Sequence, residues 1–119
     1  GYDDVYLCGC ADPFSAKSLR AGMSAQYVLN IFEGEREKIL DLLSCCQLVC
    51  ADMSGENVFT ADIAEKHALV LGSEGGGVSS AARMRCEKTV SIPMKNNMES
   101  LNVAVSAGIL MYLMGKNNF

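Results

Sequence analysis

Ala68-Leu69-Val70-Leu71-Gly72-Ser73-Glu74-Gly75-Gly76-Gly77-Val78 is the stretch from which the rest of the chain can be read. A continuous apolar run of this length is the kind that fills the centre of a parallel sheet. It stops abruptly at Gly72, and four glycines then fall within residues 72–77. With few side chains in the way, the backbone N–H groups of such a loop can approach a ligand closely. The loop is not a Walker A loop, since no Gly-Lys-Ser/Thr is present. It is also a poor dinucleotide fingerprint. Gly75-x-Gly77 is followed by Ser80 where a third glycine belongs, and no acid lies near 95–97 to hold a ribose. The loop carries one acid, Glu74.

Working outward, strands and helices alternate. Val5–Cys8 reads as a strand, and Ser15 caps a helix to about Ala25. Tyr27–Phe32 reads as a second strand and Glu33–Cys46 as a helix with acids at its start, which suit the helix dipole. Gln47–Asp52 is a third strand, followed by a turn at Ser54–Asn57 and a mixed segment, Val58–Lys66, with a short helical turn from Thr60 or Asp62. After the Ala68–Leu71 strand, Ser79 caps a helix to about Cys86. Thr89–Ile92 is a strand closed by Pro93, and Ser100 starts an apolar helix to about Met114. This order gives an α/β class, with a mainly parallel sheet and helices on both faces.

The chain has 119 residues, enough for one domain with one core. Half of the residues are hydrophobic, which excludes disorder. The net charge of −4 excludes a general grip on polyanions. Residues 1–59 carry −5 and residues 60–119 carry +1, so anion contacts are expected from the second half. Arg83, Arg85, Lys88 and Lys95 are the local choices, set against a simple solvated helix face. His67 is read as a loop residue, not a base. Cys8, Cys10, Cys45, Cys46, Cys50 and Cys86 contain no C-x-x-C pair, which argues against structural zinc. They read as buried reduced thiols, with Cys8 and Cys10 on one face of a strand. No metal is expected. No signal peptide is expected at the start. The charge-free run before Lys116 is sixteen residues, short of the roughly 20 that span a bilayer, so no membrane partner is expected. A cytoplasmic protein is expected.

A second segment carries chemistry: Ile92-Pro93-Met94-Lys95-Asn96-Asn97-Met98-Glu99-Ser100-Leu101-Asn102-Val103-Ala104-Val105. Pro93 ends the sheet because it cannot donate to a ladder. Ser100 suits an N-cap. Asn102 is a poor helix former, and if buried it needs partners.

Together the two segments resemble the SpoU family of RNA ribose 2′-O-methyltransferases, of the SPOUT (α/β-knot) class. The family's Leu-x-x-Gly-x-Glu-x-x-Gly motif matches Leu69 to Gly77, with Gly72, Glu74 and Gly77 in place. Its Ile-Pro-Met, spacer, Ser-Leu-Asn-Val motif matches Ile92-Pro93-Met94 and Ser100-Leu101-Asn102-Val103. Arg20-Ala21-Gly22-Met23-Ser24-Ala25 is similar, more loosely, to the family's Arg-Ala-Ser-x-Gly-Ala helix.

The resemblance implies a deep C-terminal trefoil knot that binds S-adenosyl-L-methionine (SAM). It implies cofactor contacts at Leu71, Gly72, Ser73, Gly77, Ile92, Met94, Ser100 and Leu101, with backbone groups of Gly72, Ile92 and Leu101 around the adenine. It places Glu74, Ser100 and Asn102 in the catalytic set. The implied partners are a tRNA or rRNA substrate and a second copy in a homodimer, with helix Leu101–Met114 in the interface. The family's first motif, Asn-x-Gly-x-x-x-Arg-Thr-Ala, does not occur in this sequence, and Arg20 aligns to a different position. Residues 1–119 are therefore expected to form a SpoU domain lacking its first strand, first helix and first motif. That is an N-terminally incomplete fold of low or no activity by itself. Its Gly1 would be a processed end, a tag remnant or a cut. Two other readings stand beside this one. One is a catalytically inactive dimeric SAM/RNA-binding module or fragment. The other is a generic nucleotide-binding protein that holds phosphate on the Gly72–Gly77 loop, with Lys88 and Lys95 as its cations.

Overall fold

The computed structural model describes residues 1–98 and 100–116; Glu99, in the spacer of the second segment, lies outside them. The chain divides into two compact units, Tyr2–Asp41 and Leu42–Phe119, with Gly1 assigned to the second.

The first unit contains β1 (Asp4–Leu7), α1 (Ala16–Ala21), β2 (Asn30–Glu33) and most of α2 (Arg36–Leu42). β1 and β2 pair in parallel, with Val5 opposite Ile31 and Tyr6 opposite Phe32. The Tyr6 and Phe32 rings stack at 4.9 Å. Ser15 caps α1 as expected, its Oγ accepting from Ser18 N at 3.2 Å. The helix stops at Gly22, short of Ala25, because Met23 and Ser24 both adopt left-handed backbone. Gln26 reinforces that stop, since its Nε2 donates to Ser18 O at 2.8 Å and to Pro13 O at 3.0 Å. Ala25–Tyr27 form a 3-10 turn, so β2 begins three residues later than expected, at Asn30.

The second unit holds β3 (Gln47–Asn57), β4 (His67–Val70), α3 (Ser80–Arg85), β5 (Lys88–Ser91) and α4 (Val103–Met114). Its sheet has the order β4-β3-β5, all parallel. The central strand is thus β3, where Val49 and Cys50 are fully buried, and not the Ala68–Leu71 run. Both runs are apolar, and only the pairing decides which is flanked on two sides. The strands of the chain pair as two sheets where one was expected.

β3 is longer than its apolar core. Val90 faces both Ala51 and Glu56, so residues 52–55 make an excursion from the ladder before pairing resumes. The expected turn at Ser54–Asn57 falls within this irregular strand. Gly55 permits the return. A Cβ there would lie 2.6 Å from the backbone of Thr89 and Val90, closer than any real Cβ contact. Val58–Lys66 contains a turn but no helix.

Val49, Val58, Val90 and Leu110 form the core of this unit, with Leu69, Ile92 and Leu113 packed against it. α4 presents Ala107 and Leu110 inward. Among the described residues no helix is long and apolar enough to cross a membrane.

The six thiols are free, but they are not uniformly buried. Cys50 is buried, Cys8, Cys46 and Cys86 are half-buried, and Cys10 and Cys45 are exposed. Cys8 and Cys10 lie beyond the end of β1, so strand alternation does not govern them. Burial, followed by the neighbouring Cys50, pushes the Cys86 thiol up to about 11. His67 opens β4 and does not lie in a loop. Its Nδ1 faces the Ala64 carbonyl at 2.8 Å, so that nitrogen is the donor.

Leu110→Ala leaves a cavity in this core, and the expected loss is about 2–5 kcal/mol. Chemical denaturation should show a large drop in midpoint for Leu110→Ala. Met84→Ala, at a position 87% exposed, should stay within about 0.5 kcal/mol of the native chain.

Candidate functional site

Three parallel strands end on the same side of the second unit, and the segments that leave them enclose a cavity of about 430 Å³. Ligands of open α/β sheets bind at this carboxyl end of the strands. The segment that follows β4 supplies Leu71, Gly72 and Ser73, and the one that follows β5 supplies Ile92 and Met94. The β3 excursion brings Asp52 and Met53, and α4 lends Val103, Ser106 and Leu110.

The glycine loop is a tight turn. Ser73 and Gly77 form an antiparallel bridge, and Gly77 N donates to Ser73 O at 3.0 Å. Gly77 has φ +64°, a left-handed conformation that favours glycine. Gly72 is required for a different reason. A Cβ on it would overlap the Gly77 carbonyl and Val78 N, all of them backbone atoms that cannot swing away. The helix after the loop begins as expected, with Ser79 Oγ accepting from Ala82 N at 3.2 Å.

All ten residues expected at the site line this one cavity: Leu71, Gly72, Ser73, Glu74, Gly77, Ile92, Met94, Ser100, Leu101 and Asn102. Their local roles differ from the expectation at two positions. Ser100 does not cap α4, because the helix starts two residues later than expected. Asn102 is the cap, with Oδ1 accepting from Ala104 N at 2.8 Å. Asn102 is also exposed, so burial does not explain it. Its remaining amide group Nδ2 donates to Glu74 Oε1 at 3.2 Å. One side chain therefore starts the last helix and joins it to the glycine loop.

Asp52 was not picked out by sequence reasoning. Its carboxylate accepts from Arg83 Nη2 at 2.5 Å, from Ser54 N at 2.9 Å and from Ser54 Oγ at 2.6 Å. The Arg83 hydrogen bond, followed by those from Ser54, holds the Asp52 carboxyl well below the usual carboxylate range. A signal was available in Asp52-x-Ser54, an Asx-turn spacing. The partner, 31 residues on, had none. Arg83 and Lys88 were weighed as RNA contacts against a solvated helix face, and each faces an acid, Arg83 with Asp52 and Lys88 with Glu56 at 3.1 Å. Among the described residues no group of three or more His, Cys, Asp or Glu is placed to hold a metal.

Residues 1–112 match the model of the SpoU rRNA Methylase family. The chain belongs to that family. A curated relative, the 23S rRNA (guanosine(2553)-2′-O)-methyltransferase RlmP of Bacillus subtilis, is 31% identical over 116 residues, covering 94% of this chain and 47% of the relative. The 23S rRNA (guanosine-2′-O-)-methyltransferase RlmB of Ralstonia nicotianae is 40% identical over 62 residues, covering 52% of this chain and 25% of the relative. Among solved structures, the SpoU methyltransferase AviRb of Streptomyces viridochromogenes in complex with AdoMet superposes with a TM-score of 0.87. It is 28% identical and the match covers 97% of this chain and 49% of AviRb. The chain thus spans half or less of the length of these SpoU relatives.

Two expectations follow from the site geometry. Asn102→Ala removes a helix cap, an expected cost of about 0.5–2 kcal/mol, while Asn102→Ser keeps an acceptor for Ala104 and should recover most of it. Thermal unfolding of both variants checks this. For Asp52, the folded pKa is depressed, so its stabilisation is present above the unfolded value near ~4 and is lost as pH falls toward the folded one. The stability gap between the native chain and Asp52→Asn should therefore be full at pH 7 and shrink steadily below about pH 4. Urea unfolding as a function of pH reads it.

Proposed function

We propose that this chain provides the cofactor-binding part of a SAM-dependent RNA ribose 2′-O-methyltransferase. The observation that carries the reading is the cavity between the Leu71–Gly77 and Ile92–Asn102 segments, tied across by Asn102 and Glu74.

The residues present fit SAM. About 430 Å³ lies within the range of roughly 300–1,000 Å³ for small-ligand pockets. Leu71, Ile92 and Leu101 offer apolar faces for a flat base, and Met94 adds a polarisable thioether. Asp52 and Glu74 are the charged side chains among the described lining residues, which include no Lys, Arg or His. With Asp52 already paired to Arg83, the Glu74 carboxylate and the lack of a lining cation among the described residues favour a cationic sulfonium over a polyphosphate, which argues against the generic nucleotide reading. Bound SAM would supply an electrophilic methyl group.

The chain's own residues would then act as follows. Leu71, Ile92 and Leu101 hold the base, with backbone groups of Gly72, Ile92 and Leu101 around its edge. Ser73, Gly77 and Ser100 complete the cradle. Asn102 fixes Glu74 Oε1, leaving Oε2 without a partner among the described residues. That oxygen is available to orient a ribose hydroxyl or a cationic side chain. A ribose hydroxyl is a weak nucleophile at neutral pH and needs such positioning, together with a base. The RNA is an rRNA or a tRNA, and the names of the curated relatives favour rRNA. Passage of α4 through a preceding loop as a trefoil knot, and a cytoplasmic location, belong to the same reading. So does a homodimer. Ala104, Val105, Gly108, Met111 and Tyr112 are exposed at helical spacing on α4 and form an apolar face of the kind that marks an interface.

Methyl transfer by this chain alone is expected to be low, because no arginine lines the cavity among the described residues. The same observation favours the second reading, a catalytically silent SAM-binding module. Calorimetry with S-adenosylhomocysteine tests the cofactor reading, and no binding by a folded sample overturns it. Met94→Lys places a cation in the cavity. It should weaken SAM more than the uncharged thioether S-adenosylhomocysteine. Labelled-methyl transfer to bulk rRNA and tRNA, read separately, is expected near background.

A further inference from the structure

Ser106 is the one polar residue on the inward stripe of α4 below its cap. The stripe runs Val103, Ser106, Leu110, all lining the cavity, with buried Ala107 beside it. Ser106 is half-buried. Its backbone N–H donates to Asn102 O at 2.9 Å in the ordinary helical way. Its hydroxyl has no hydrogen-bond partner among the described residues. The same cavity is lined by Val90, fully buried, and Leu110, 2% exposed.

A half-buried hydroxyl on a cavity wall can pair with water in the open pocket and is available to a ligand that displaces that water. Packing alone would place Ala, Val or Leu at that position. Serine is also a poorer helix former than alanine, so helix stability gives no reason for it. Several other polar groups of the same cavity are held within the protein: Asp52 by Arg83 and Ser54, Asn102 by Ala104 N and Glu74, and Ser91 by the Gly55 carbonyl. Ser106 Oγ, like Ser100 Oγ and Glu74 Oε2, has no such partner among the described residues, and Ser106 lines the space that the proposed cofactor would fill.

We infer that Ser106 is a further positioning residue of this site, whose hydroxyl hydrogen-bonds a polar atom of the bound cofactor. The inference rests on the SAM reading above. The atom belongs either to the nucleoside or to the amino-acid tail, and two ligands separate these sources. 5′-Methylthioadenosine has the nucleoside and the thioether but no tail, whereas S-adenosylhomocysteine has both.

The test is calorimetry on the full chain, native, Ser106→Ala and Ser106→Thr, with thermal unfolding of each ligand-free protein. Loss of one hydrogen bond should weaken S-adenosylhomocysteine about three- to tenfold in Ser106→Ala. Ser106→Thr, which keeps the hydroxyl, should recover affinity. The ligand-free Ser106→Ala protein should unfold at the native temperature or above it, which separates a ligand contact from a structural role. An equal loss for methylthioadenosine assigns the contact to the nucleoside, and an unchanged affinity for it assigns the contact to the tail. Native affinity for S-adenosylhomocysteine in a well-folded Ser106→Ala protein overturns the inference while leaving the SAM reading intact. No binding by the native chain overturns the SAM reading itself.

Discussion

The contact between the backbone of Gly72 and that of Gly77 and Val78 is the constraint on which the site depends. No side chain fits at position 72, so the end of β4 can lie directly against the far side of its own loop. The chain then reverses within residues 73–77 and enters the capped helix α3. That tight reversal sets Glu74 within 3.2 Å of the Asn102 amide. Asn102 in turn starts α4, and α4 carries Leu110 into the core formed with Val49 and Val90. One glycine contact, one amide and one leucine thus connect the loop, the last helix and the core of the second unit.

The polar groups of the cavity are arranged so that few remain unpaired. Asp52 projects from an irregular part of β3, where backbone pairing with β5 is interrupted between Ala51 and Glu56. Its bonds to Ser54 and Arg83 restrain that excursion, and Ser91 Oγ donates to Gly55 O at 2.9 Å on its return. Arg83 is thereby withdrawn from the set of free surface cations. Of the two acids that line the cavity, Asp52 is offset by Arg83, and Glu74 keeps its carboxylate beside no lining cation among the described residues. The same pairings lessen the case for Arg83 and Lys88 as phosphate contacts. They are neutralised locally, whatever the net charge of the second half suggests.

Much of the architecture was legible from local chemistry. Ser15 and Ser79 cap helices where their spacing placed them, and apolar runs bounded by glycine or proline became strands. The two segments singled out by motif do meet around one cavity. Errors arose where a left-handed turn or a distant side chain decided a local outcome. α1 ends early because Met23 and Ser24 turn left-handed, and Gln26, from beyond the helix, adds a second donor to the Ser18 carbonyl there. α4 is capped by Asn102, not by Ser100. Both are good cap residues, and the choice went to the one that can also bond Glu74. The uniform burial expected for the cysteines fails because it was inferred from residue type, whereas Cys10 and Cys45 lie outside the strands and the core.

The sequence by itself determined the α/β class, the turn chemistry of Gly72–Gly77 and the membership in a family carried by two short motifs. These depend on residues close together in the chain, where backbone freedom, capping and apolar periodicity act directly. The tertiary structure alone decided that β3, not the Leu69–Leu71 run, is the central strand. It also decided that Asp52 and Ser106 belong to the cavity wall. Each of these depends on which surface is brought against which across tens of residues. No local propensity encodes strand order or the partner of a side chain 31 positions away.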